Sequence, residues 1–330
     1  MAQLNAPQAN YFNLQSIDGG VVYGKLPYKL ADNQSPDMCN LLLDQKLLCK
    51  RRGVEAVYDG GAGSIAAVYP DFAGACWYAS GNSLFALDYT AKTVTAKYTA
   101  LSGTGHGTFF AYGTKLYYKS ASDFLAIEPS GTVAPVTGYV PLILISCDPA
   151  TGSGTENEAL NRISAGFRVR YTSTGTVSTL KLPKALLPLD ATAVAVDISG
   201  TAKAETTDFT VNRETGVLTV VGTAWPAGTN HITVTAYHTD AESAASIAGC
   251  HVAMPYGGDA AGLTGGTRIF FAGNAQTQNT VYYSGLLDPT YWPDNGFILI
   301  GQSDAAVTAF GKQYDLLYVF TARSLHSVQY

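Results

Sequence analysis

Histidine is the side chain best suited to metal ligation and to proton transfer near neutral pH. Five are present: His106, His231, His238, His251 and His326. None forms an HExxH or HxH pair, the spacings that bring two imidazoles to one metal. His231 and His238 stand seven apart along one extended run, so they point to opposite faces or beyond its end. Serine chemistry has no G-x-S-x-G elbow to present a nucleophile. Asp288 and Asp294 flank Tyr291-Trp292-Pro293, and carboxylates so placed suit the acid and base roles of glycoside hydrolysis. Asp-Pro and Pro-Asp-Asn are also turn starters, and the turn is the expectation here. Trp77, Trp225 and Trp292 are candidates for stacking on a sugar. Trp292, with Tyr291, is the best placed because it sits in a turn; packing on adjoining strands is the competing role. No catalytic, cofactor-binding or metal-ligating residue is assigned, no cofactor is called for, and no enzyme activity is expected.

The cysteines Cys39, Cys49, Cys76, Cys147 and Cys250 are odd in number and contain no CxxC pair. Neither a zinc cluster nor a redox motif is supported, and free buried thiols are expected. Cys147 and Cys250 flank the central segment and are read as neighbours at its neck, in the reduced state.

The elements that must position these groups follow from composition. Apolar residues make up 47% and charged residues 14%, with Tyr 21 against Met 3 and Gly 34. That balance is too apolar for disorder and reads as an all-β chain rich in turns. Little charge and much tyrosine also fit a surface covered by partner subunits. Net charge is −5, and the one basic cluster is Lys50-Arg51-Arg52, so no specific nucleic-acid binding is expected. No apolar run is long enough for a membrane-spanning helix. The first residues lack a basic region followed by an apolar core, so synthesis in a host cytoplasm is expected.

Four regions emerge along the chain. Residues 1–60 form an extended arm with first strands, in which Tyr11, Phe12, Tyr23, Leu26, Pro27 and Tyr28 are apolar anchors without a period of their own. These six are the expected subunit contacts. Residues 38–49 are read as two strands around Asp44-Gln45 rather than as a helix. Residues 61–149 carry two sets of short strands at about 40 residues per set, the period of a propeller blade. Within them Gly81–Asp88 is matched to Gly113–Ser120. Residues 150–249 hold longer, cleanly alternating runs, about seven strands in about 100 residues, which reads as an immunoglobulin-like β-sandwich inserted between blades. Residues 250–330 resume the blade pattern with roughly two more blades. The fold class is therefore all-β: propeller-like blades, an inserted sandwich and an N-terminal arm.

The strings VYYSGLLDPTYWPDNGFILIG and VTAFGKQYDLLYVFTARSLHSV near the C-terminal end resemble a family of bacteriophage tail structural proteins built on β-propellers. GGVVYGKLPYKLADNQSPDMCNLLLDQKLLCKRRG is similar to their N-terminal arm. DFTVNRETGVLTV with PAGTNHITVTAY resembles domains inserted in phage structural proteins. The propeller resemblance covers about residues 10–150 and 250–330. It implies a virion tail component, in a nozzle, channel or tip ring, with other copies of itself and neighbouring tail proteins as partners. Two alternatives stand beside it: a host-surface glycan-binding tail module that uses Trp292 and Tyr291, and a tail-associated glycan hydrolase.

Overall fold

A computed structural model of the chain describes residues 19–22, 25–31, 33–35, 37, 41–44, 47–51, 64–103, 106–257, 266–314 and 316–329. The described residues are nearly all β, with one α-helix, none of it long and apolar enough to cross a membrane. The chain divides into two units, residues 1–59 and 60–330.

In the first unit, the glycine pair of a turn is laced to a second strand-like segment: Gly19 N donates to Asn33 O and Val22 N to Ser35 O. A short 3-10 turn, Pro27–Lys29, follows the pattern of a proline that fixes φ at a helix start. β1 (Leu41–Asp44) and β2 (Leu47–Lys50) form an antiparallel hairpin, so this region is strand rather than helix.

The second unit begins with two four-stranded antiparallel meanders. The first comprises β3 (Ile65–Phe72), β4 (Ala75–Ser80), β5 (Ser83–Asp88) and β6 (Thr93–Tyr98). The second comprises β7 (Gly107–Tyr112), β8 (Lys115–Ser120), β9 (Phe124–Ile127) and β10 (Val133–Pro135). Two successive sets of four short strands are what the sequence reading of residues 61–149 expected. The match of 81–88 to 113–120 is out of step by one strand, however. Gly81 opens the β4–β5 hairpin, whereas Gly113 opens β7–β8. Both glycines hold positive φ, 55° and 59°, in two-residue hairpin loops, so the turns look alike wherever they sit. The strands that correspond in space are β4 and β8, ACWYAS and KLYYKS. Each is the second strand of its sheet and nearly buried along its whole length.

The chain then builds a sandwich. β11 (Leu142–Cys147), β12 (Thr155–Glu156), β13 (Gly166–Ser173), β15 (Ala195–Ile198), β16 (Thr201–Lys203) and β19 (Gly228–Tyr237) make one sheet, in the order β12-β11-β13-β19-β15-β16. β14 (Thr179–Lys181), β17 (Phe209–Asn212) and β18 (Val217–Val220) make the facing one. Alternate residues of both sheets, among them Phe167, Val169, Tyr171, Val234, Phe209 and Leu218, share one core. This unit starts earlier than the sequence suggested. β11 pairs in parallel with β13, so the segment from Leu142 belongs to the sandwich and not to the preceding meanders. Cys147 goes with it.

A helix missed by the sequence reading, α1 (Ala241–Ala248), leads out of the sandwich. Its signals are ordinary: Asp240 accepts from the backbone N–H groups of Glu242 and Ser243, an alanine-rich stretch follows, and Gly249 ends it. A third meander follows, β20 (Val252–Tyr256), β21 (Arg268–Ala272), β22 (Thr280–Tyr283) and β23 (Phe297–Leu299), then a three-stranded one, β24 (Val307–Gln313), β25 (Leu316–Thr321) and β26 (Leu325–Gln329).

The first strands of the four meanders stand side by side: β3 by β7, β7 by β20, and β20 by β24. Each neighbouring pair closes over its own apolar core. Trp77 and Leu84 meet Phe109 and Leu116; Phe110 and Tyr117 meet Ile269 and Phe271; Tyr256 and Phe270 meet Leu317 and Val319. The second and third meanders thus pack directly on each other although the sandwich lies between them in sequence.

Candidate functional site

The seam between the second and third meanders is where the sandwich enters and leaves, and its polar groups are concentrated there. Trp292 lies at its centre with no exposed surface. Its ring stacks on Phe271 at 4.0 Å and meets Phe124 edge-on at 6.3 Å. The indole N–H donates to Pro289 O at 2.9 Å, as a buried indole requires. The backbone around it is held by the loop between β12 and β13: Trp292 N donates to Asn161 Oδ1, and Arg162 N donates to Trp292 O. Asn161 is 4% exposed. Its Nδ2 donates to Tyr139 O and Thr290 O, so one amide ties three segments. The Arg162 guanidinium lies over the Tyr282 and Phe297 rings and donates to Ser246 Oγ and Asp294 O.

Lys119 is the other buried anchor, 1% exposed. Its ammonium donates to Ser120 O, to Ala248 O at 2.9 Å and to Cys250 O at 2.6 Å. A cation on Ala248 O, the last carbonyl of α1, is favourable with respect to the helix dipole. Burial lowers the Lys119 pKa to about 8, with Cys250 and Asp123 acting in the opposite sense.

These placements decide the role of the residues singled out in the sequence. Trp292 cannot stack on a sugar, because Phe271 and Phe124 already occupy its ring. Trp77 and Trp225, 2% and 5% exposed, are also core residues. Tyr291 is half-buried, its hydroxyl donates to Ala159 O, and burial pushes its pKa up to about 12. Asp288 caps its own turn, accepting from Thr290 N and Thr290 Oγ1, which is the turn role expected of it. Cys147 and Cys250 are both buried free thiols, but they do not meet at the neck. Cys147 lies in the sandwich core and Cys250 between the second and third meanders. Burial raises their pKa values to about 11 and about 12.

His106 and His251 come together on a groove of about 440 Å³ bordered by β7, β20 and β24. Burial lowers the His251 pKa. Among the described residues no group of three His, Cys, Asp or Glu side chains assembles that could hold a metal. Of the expected subunit contacts, Leu26 and Tyr28 are exposed, 53% and 76%. Pro27 starts the 3-10 turn, and Tyr11, Phe12 and Tyr23 lie outside the described residues. A second exposed apolar surface was not foreseen. On β25, Leu317 and Val319 face the core, so Phe320 faces away, beside its register partner Leu325. They are 40% and 55% exposed.

No family model matches the sequence, and no curated protein matches it. Two solved structures are similar over part of their length, both of the extracellular domain of BT4673 from B. thetaiotaomicron. The one described as a one component system is 14% identical and aligns with 85% of this chain and 42% of its own, at a TM-score of 0.21. The one described as a hybrid two component system is 12% identical and aligns with 80% of this chain and 39% of its own, at a TM-score of 0.17. The chain thus spans about two fifths of the length of the structures it resembles.

Proposed function

We propose that this chain is a structural, non-enzymatic subunit of a bacteriophage tail, acting by assembly with further copies of itself and with neighbouring tail proteins in a nozzle, channel or tip ring. In this reading the meanders are blades of a propeller-like array, and the sandwich is an immunoglobulin-like insertion between the second and third. The observation that carries the assembly role is the outer face of the last meander. Phe320 and Leu325 lie side by side on that face, and both are exposed apolar side chains. Exposed Leu26 and Tyr28 in the first unit, with a charged fraction of only 14%, support the same reading. The tail assignment itself rests on the resemblance of the C-terminal strings and the N-terminal arm.

Sedimentation velocity over a concentration series tests the assembly role. Wild type is expected to form a defined oligomer. Phe320→Lys with Leu325→Lys, and separately removal of residues 1–28, are expected to shift it toward monomer with thermal unfolding unchanged. Monomer at every concentration for the wild type would overturn the reading.

A further inference from the structure

A cleft of about 540 Å³ opens at the neck, between the β8–β9 turn, the β12–β13 loop and α1. Its volume is that of a small-molecule site. Phe124, Val136 and Ile163 line it, and each is only half-buried, so apolar surface remains to be covered.

The polar groups of the cleft divide into those already satisfied and those left over. The three N–H groups of Lys119 are taken by three carbonyls. The terminal nitrogens of Arg162 are held by Ser243, Ser246 and Asp294 O; its Nε is buried without a hydrogen-bond partner and is out of reach of solvent, and so of a ligand in the cleft. Asp123 accepts from Ser102 N and Ser120 Oγ, and Asp240 caps α1. One charged side chain is left. The Asp294 carboxylate has no hydrogen-bond or ion-pair partner among the described residues, though its backbone oxygen does. The charged donors with access to the cleft are committed, and the uncommitted carboxylate accepts. With Lys119 and Arg162 against Asp123, Asp240 and Asp294, the lining also carries one more negative charge than positive.

We propose that this cleft binds a small organic ammonium ion, with its apolar body on Phe124, Val136 and Ile163 and its charged N–H groups on Asp294. The site is separate from the apolar faces invoked for assembly, so its failure would leave that reading untouched.

Isothermal titration of the full chain at pH 7 with phenethylammonium, 2-phenylethanol and 3-phenylpropionate tests it without any substitution. The ammonium ion is expected to bind at least tenfold more tightly than the alcohol, with the carboxylate weakest. Asp294→Asn should abolish the tenfold preference. Ala244→Trp, which fills the cleft from an exposed position on α1, should abolish binding while the thermal midpoint is retained. Equal binding of all three probes, unchanged ammonium affinity in Asp294→Asn or Ala244→Trp, or no saturable binding by the wild type would overturn the proposal.

Discussion

Replacing Trp292 by alanine is the sharpest test of the neck. The side chain is fully buried, stacked at 4.0 Å on Phe271, and touched by Phe124 from the second meander. Truncating a buried tryptophan costs about 3–5 kcal/mol through lost transfer energy and the cavity left behind. The paired aromatic contacts place Trp292→Ala toward the upper part of that range. Trp292→Phe keeps a ring on Phe271 but removes the N–H donated to Pro289 O. Losing that bond, with some packing, should cost about 1–2 kcal/mol. Urea unfolding with a shared m-value measures both as shifts in midpoint. A loss below about 1 kcal/mol for Trp292→Ala would refute the claim that this ring holds the seam together.

Other perturbations probe other parts of the account. Lys119 titrates near 8 in the folded chain against an ordinary 10.5. Between those values the unfolded state binds more protons, so its contribution to stability rises with pH, by on the order of 3 kcal/mol across the window, and is flat below pH 8. Comparing wild type with Lys119→Met isolates this: the deficit of the variant should widen from pH 8 to 10.5, and a constant deficit would contradict it. In a Cys39→Ser background, exposed Cys49 should react at once with a thiol reagent, whereas Cys76, Cys147 and Cys250 should react fully only on denaturation; rapid labelling of all four would contradict their burial. A fragment of residues 140–240 should unfold cooperatively. One starting at Glu156 lacks β11 and the core side chains Ile143 and Cys147, and should unfold at a lower midpoint or without cooperativity. Equal behaviour of the two would return the boundary to the polar stretch after Thr151.

Strand existence was legible because short β-branched and aromatic runs are punctuated here by Gly, Asn and Asp. Even the hairpin glycines Gly81 and Gly113 were readable. What they could not reveal is which strand of a meander each turn joins, since a two-residue loop has the same chemistry at every position. The sandwich boundary was misplaced for a related reason. Thr151–Glu158 looks like a linker, but the parallel pairing of β11 with β13 is a long-range contact with no local sign. α1 carries its Asp240 cap and alanine-rich run in the sequence, but at eight residues it is too short for a helical period to stand out between strands. The buried anchors were the least legible. Nothing in the residue types Lys119, Asn161 or Arg162 marks a side chain that ties distant segments through backbone oxygens. Trp292 was singled out for the wrong reason: its turn is exposed in sequence terms, yet the ring points into a seam formed by residues far away along the chain.

The measurement that bears most directly on the proposed role is electron microscopy of the assembled particle with this chain located in the density. The account predicts several copies in a ring within a phage tail, with the outer face of the last meander, Phe320 and Leu325, covered by a neighbouring subunit. A particle in which the chain occurs as an isolated copy, with that face open to solvent, would contradict it.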